Sequence, residues 1–248
     1  LESDRPECKD LSLRRYDGRN LAFFALQPAP VENGFADTYC DGMPSDADMD
    51  RSRQWCDMDQ PRVNQSVADS LSEVMPITQS CQDRGIWAKY GTCSLYSPDQ
   101  YFSRSIKLAK DAASTQVNTK IAGAVGSKIS QDALLAAFTD QFGEDSGKAV
   151  DFICRKVDGK NHLYQVRITV TLSAMNRGLA KDQLWLPHGS LRRHCPSEFE
   201  VDAPPVQVAP APGTAAPAVS EAPARPGEPE APQSVPVAPV ETAPLPPR

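Results

Sequence analysis

The sequence predicts an α+β domain, an antiparallel sheet packed with helices, followed by a disordered proline- and alanine-rich tail. Three observations carry that reading. Helix-spaced apolar residues fill the middle of the chain, a hairpin pattern follows them, and 14 of the 23 prolines crowd between Pro204 and Pro247. Helices that precede an antiparallel hairpin belong to the α+β class. The domain boundary falls at residue 202, with the tail over 203–248, and roughly 200 residues suffice to bury one sizeable core.

Taken in order, Leu21-Ala22-Phe23-Phe24-Ala25-Leu26 is a short apolar run closed by Pro28 and Pro30, which reads as a buried strand. Asp41 to Pro61 shows no useful period and reads as a surface loop pinned by Cys40 and Cys56. Val67, Leu71, Val74 and Met75 recur at helical spacing after Ser66, and Pro76 stops them. Ser97-Pro98 supplies an N-cap and a first-turn proline for a helix presenting Tyr101, Phe102, Ser105, Leu108 and Ala109. Ser130 caps a third helix whose Leu134, Leu135, Phe138 and Phe142 face inward, and Gly143 ends it. Ala149–Val157 reads as a strand and Asp158-Gly159 as a hairpin turn. His162–Leu172 returns with Tyr164, Val166, Ile168, Val170 and Leu172 on one face. After Ala203 the chain has too few large apolar residues to fold and is expected to be an extended spacer.

The chain carries a net charge of −6, of which the tail's four glutamates against two arginines contribute a third. An acidic surface argues against sequence-independent binding to nucleic-acid backbones, though not against a local basic pocket. The seven cysteines form no Cys-x-x-Cys pair and suit neither a zinc ribbon nor a haem site, so no metal or cofactor is expected. Widely spread cysteines point to disulfides in an oxidising compartment. No apolar run reaches the ~18 residues of a membrane span. The chain is expected to be periplasmic or secreted, its signal peptide already removed.

One stretch carries more information than the rest. Trp87, Lys89, Gly91, Thr92 and Cys93 stand at the spacing of H-E-W-x-K-H-G-T-C. That box closely resembles the second active-site box of the ribonuclease T2 family. Val74-Met75-Pro76, Gln79-Ser80-Cys81, Asp99-Gln100-Tyr101-Phe102, Ala136-Ala137-Phe138, Lys148-Ala149-Val150, Cys154 and Cys195 extend the resemblance, in order, to bacterial periplasmic members. The likeness is good over 64–200 and weak over 1–63. It implies three disulfides, Cys154 with Cys195, Cys40 with Cys93 and Cys56 with Cys81. Cys8 stands outside these pairs, and its state stays open.

The chemistry of the box has not survived with its frame. By this resemblance Gly85 stands where the first His often sits, Ile86 where the Glu sits and Tyr90 where the catalytic His sits. The first box, H-G-L-W-P in the family, aligns in two ways. One puts Leu26 at its His, directly after the apolar run; the other puts Asn33 there. Neither residue transfers protons. The histidines are His162, His188 and His194, all downstream of both boxes. His162 reads as an exposed turn residue, and His188 and His194 as parts of a surface loop.

Family enzymes cleave RNA by attack of the 2′-OH on the adjacent phosphate, which needs a base, an acid and groups that stabilise the phosphorane. Histidine suits the proton work because its unperturbed pKa is about 6.5. A tyrosine, near 10, is about one part in a thousand phenolate at pH 7, yet its hydroxyl can still contact a phosphate. Lys89 retains a point charge for phosphate, with Tyr90 and Trp87 as further ligand contacts. The resemblance therefore implies an exported protein without catalysis that binds RNA, a nucleotide or a protein partner. Two other readings stay open. One is a weakly active endoribonuclease forming 2′,3′-cyclic phosphates through Lys89, Tyr90 or a downstream His. The other is an envelope protein that engages a protein partner through its tail.

Overall fold

A computed structural model describes residues 5–9, 11–28, 38–42, 55–186 and 194–204. Asn33, His188 and the expected tail from Pro205 onward lie outside them. The described residues form a helical half and a sheet half, each around its own apolar cluster.

The helical half contains α1 (Pro6–Lys9), α2 (Gln65–Val74), α3 (Gln82–Lys89) and α4 (Pro98–Ala113). Helix α2 starts one residue before Ser66, because the Asn64 side chain accepts the amide of Val67 at 3.3 Å. It stops at Met75, whose successor Pro76 lacks the N–H that a further turn needs. Helix α4 opens with a complete capping box, the Ser97 hydroxyl on the Gln100 amide and the Gln100 side chain on the Ser97 amide. Its Tyr101, Phe102, Ile106 and Ala109 pack with Leu71, Val74, Met75 and Ile86.

The sheet half follows with α5 (Gln116–Gly123), β1 (Lys128–Ser130), α6 (Gln131–Phe142), β2 (Val150–Val157), β3 (Lys160–Ile168), the short α7 (Ala174–Arg177) and β4 (Glu198–Glu200). Phe138, Phe142, Val150, Phe152 and Phe199 form its core. Asp158 and Gly159 adopt φ of 47° and 80°, the two positive values of the turn that tight hairpins favour.

Four expectations need correction. The sheet, in the order β1-β4-β3-β2, is mixed: β4 joins β1 antiparallel but meets β3 in parallel at His162 and Glu200. A long excursion between β3 and β4, in place of a hairpin, allows that direction. The apolar run Leu21–Leu26 is extended but forms no strand. Its amides and carbonyls find helix ends and side chains in place of a ladder. Phe23 N–H donates to the Val74 carbonyl, Leu21 N–H to Asn118 Oδ1, and Leu26 O accepts from Tyr101 Oη, each at 2.7 Å. The predicted inward face of β3 breaks at a bulge, where Ile153 pairs with Gln165 and Cys154 with Leu163. The extra residue, Tyr164, turns outward at 49% exposure with the Arg155 guanidinium 3.4 Å from its ring centre, and Leu163 packs inward in its place. Leu172, beyond the strand, is exposed as well. Finally, His162 is no exposed turn residue, because β3 starts before it and its ring meets Asp202.

The three disulfides Cys40–Cys93, Cys56–Cys81 and Cys154–Cys195 are present. No helix among the described residues is long and apolar enough to cross a membrane.

Buried Asn118 ties the Asn20–Leu21 segment to α5 through the Leu21 amide and through Nδ2, which donates to Asn20 Oδ1 at 3.1 Å. Replacing Asn118 with Ala leaves the Leu21 N–H without its acceptor, a cost of about 1–3 kcal/mol. Urea unfolding is expected to show a lower midpoint with an unchanged slope.

Candidate functional site

The frame of the box is built on α3 and the tight turn Gly91–Cys93. Residues four apart on a helix lie above one another, so Gly85 shares a face with Lys89 and Ile86 with Tyr90. The Ile86–Tyr90 face turns toward the helical core. Ile86 is 7% exposed and packs among Leu71, Val74, Met75 and Tyr101, while half-buried Tyr90 lies against the same cluster. Where the resemblance places a carboxylate and a histidine, this chain has apolar packing and a phenol.

The end of the helix is held by several short bonds. The Lys89 carbonyl accepts the Tyr39 amide at 2.9 Å. Thr92 Oγ1 donates to the Ala88 carbonyl at 2.8 Å and accepts the Cys40 amide at 3.1 Å, beside the Cys40–Cys93 bridge. Gly91 is required by close approach, since a Cβ there would run into the Trp87 ring. Trp87 in turn stands edge-on to Tyr101, with ring centres 5.6 Å apart. Its residue also borders an open cleft of about 670 Å³, shared with Ala88, Thr92, Arg84, Arg62 and Asp57.

Lys89 extends from the last turn of α3 with Nζ 5.2 Å from the Tyr90 ring centre. Among the described residues it has no carboxylate within ion-pair distance, so its charge is not spent on a neighbour. Leu26 packs on the same cluster as Ile86 and Tyr90. The structure therefore brings together Leu26, Ile86, Trp87, Lys89 and Tyr90, whereas Asn33 lies outside the described residues. Tyr101, which the sequence offers as a helix-face residue and part of a flanking match, is a link among them. Its hydroxyl donates to the Leu26 carbonyl at 2.7 Å. Burial, and to a lesser degree nearby Tyr90, hold its proton far above the ordinary tyrosine range.

His162 and His194, the downstream histidines among the described residues, stand elsewhere. His162 Nδ1 lies 2.6 Å from Asp202 Oδ1, and His194 Nδ1 lies 2.7 Å from Asp151 Oδ2. Both pairs are built on the β2–β3 hairpin, on the sheet core and not on the box. Among the described residues no group of His, Cys, Asp and Glu is arranged to hold a metal.

At the start of α3, burial raises the pKa of the Asp83 carboxyl, opposed by backbone amides at 83 and 84 and by the Arg84 charge. The sign follows directly. With a folded pKa above the unfolded value, the ionised group costs stability at neutral pH. That cost fades as pH falls through the raised folded value and is gone below the ordinary value near 4. Asp83→Asn is therefore expected to unfold at higher urea than the parent at pH 7, with the gap closing toward pH 4.

Comparison with known proteins places this arrangement. The chain is 28% identical to Ribonuclease I of Escherichia coli (strain K12) over 197 residues, 78% of this chain and 67% of that one. Among solved structures it resembles the self-incompatibility-associated SF11-RNase of Nicotiana alata (15% identity, TM-score 0.47, 73% of this chain and 84% of that one). It also resembles RNase NT, solved in complex with 5′-AMP (18% identity, TM-score 0.46, 73% and 82%). The Ribonuclease T2 family model matches residues 6–178, a span that takes in the Leu26 segment, the box and the hairpin, and the chain belongs to that family.

Proposed function

We propose that this protein is an exported member of the family that no longer cleaves RNA and instead binds a nucleotide or RNA phosphate at Lys89 and Tyr90. The observation that carries the reading is the state of the box. Ile86 is buried among apolar side chains, Tyr90 caps the helix against the same core, and Leu26, which one alignment sets at the first-box His, packs on that core too. Among the described residues, the downstream histidines His162 and His194 are paired with Asp202 and Asp151 at the sheet. A positioned proton-transfer group contributes about 10²–10⁴-fold, so losing two leaves very little rate. The unspent charge of Lys89 and the Tyr90 hydroxyl favour retention of a phosphate contact. Three disulfides support export, and residues 203–248 serve as a spacer.

Cleavage is the test. Nuclease-free protein incubated with a defined oligoribonucleotide is expected to generate 2′,3′-cyclic ends at no more than about 10⁻⁴ of the rate of a relative with both histidines. Lys89→Ala is expected to match the parent, and Tyr90→His alone to restore nothing. Steady turnover that disappears in Lys89→Ala defeats the proposal.

A further inference from the structure

At Gly85, where the resemblance often has a His, the space of a side chain is occupied by a group from another segment. A Cβ at this residue would collide with ring atoms Cε3, Cζ3 and Cη2 of Trp55. The indole therefore lies directly on the backbone of α3, in the space that any larger residue at 85 would claim. It is held there by two ties on the residues that follow it. Cys56, the next residue, is bridged to Cys81 at the start of α3. Arg84 Nη1 donates to the carbonyls of Cys56 and Met58 at 2.6 and 2.7 Å, closing the turn Trp55–Asp57 onto the helix.

Position 85 is one turn before Lys89 on the same helical face, a rise of about 6 Å. Trp55 is only partly buried, so part of its surface remains open to solvent. An aromatic ring seated on Gly85 and, from the next turn of the helix, an ammonium with no carboxylate partner among the described residues match the two parts of a nucleotide, a base to stack and a phosphate to neutralise. Asp57, exposed two residues beyond the indole, sets a negative charge on that side and disfavours a second phosphate there. We infer that Trp55 is the base-stacking residue of this site, admitted by Gly85, and that its ligand is a nucleoside monophosphate whose phosphate meets Lys89. The inference rests on the nucleotide-binding reading above and names the second half of that site.

Calorimetric titration of the full chain with adenosine 5′-monophosphate and, separately, with inorganic phosphate tests it. The parent is expected to bind the nucleotide more tightly than phosphate. Trp55→Ala is expected to weaken nucleotide binding about tenfold or more, the loss typical of a removed stacking partner, and to leave phosphate binding unchanged. Gly85→Ala, whose methyl displaces the indole while keeping it in the chain, is expected to reproduce that selective loss. Trp55→Phe retains most of the affinity, and Lys89→Ala weakens both probes. Nucleotide affinity unchanged in both Trp55→Ala and Gly85→Ala overturns the role of Trp55 while leaving the site at Lys89 standing. A parent protein that binds neither probe overturns the nucleotide reading itself.

Discussion

The hydroxyl of Tyr101 is buried within the helical core, and a buried donor without an acceptor costs about 1–3 kcal/mol. Its acceptor is the carbonyl of Leu26, 75 residues away in sequence. That single bond, with the Phe23 amide on the Val74 carbonyl, fixes an extended segment that has no strand partner of its own. The same ring stands against Trp87 and Phe102, and Trp87 in turn closes over Gly91. One tyrosine on a neighbouring helix thus links the Leu26 segment to the Trp87 side of the box. Satisfying its hydroxyl is the constraint to which the Leu21–Leu26 segment answers, and the same ring packs on α3 through Trp87.

This explains why frame and chemistry can part. Trp87, Gly91, Thr92 and Cys93 are tied to Tyr101, Cys40 and the backbone of α3 by packing, hydrogen bonds and a disulfide. None of those ties runs through the side chain at 86 or 90. Those positions can be filled with an isoleucine and a phenol without loosening the turn, and the isoleucine joins the core. A carboxylate at the same place, among Leu71, Val74 and Met75, would have to be desolvated or to find a hydrogen-bond partner.

Much of the fold was legible because it rests on local rules. The capping box at Ser97, the cap at Ser130, the stop at Pro76 and the positive-φ pair Asp158-Gly159 are written in neighbouring residues. What could not be read depends on distant partners. Leu21–Leu26 looks like a strand by period, and only the absence of a neighbouring ladder denies it that state. Tyr164 has the right parity to face inward until the bulge opposite Ile153 and Cys154 shifts the count by one. The parallel entry of β4 depends on a path of some thirty residues that carries no periodic signal. At the site, the degenerate positions were visible as letters. The partners of His162 and His194, and the role of Tyr101 as acceptor-seeking link, required coordinates.

The Trp55–Gly85 contact shows where the loss of side chains has structural consequences of its own. Isoleucine at 86 fills its own space, and tyrosine at 90 is larger than the histidine it stands for. Glycine at 85 leaves a space, and close packing does not tolerate a gap beside an ordered helix without forfeiting contacts. The segment able to fill it is the one already bridged to α3 through Cys56 and Cys81 and held by Arg84, so its indole closes the gap at little cost in ordering. Restoring a large residue at 85 would therefore meet a ring before it met a substrate. The three positions are not equivalent: Ile86 and Tyr90 pack on the helical core with their own side chains, whereas Gly85 is covered by the Trp55 ring.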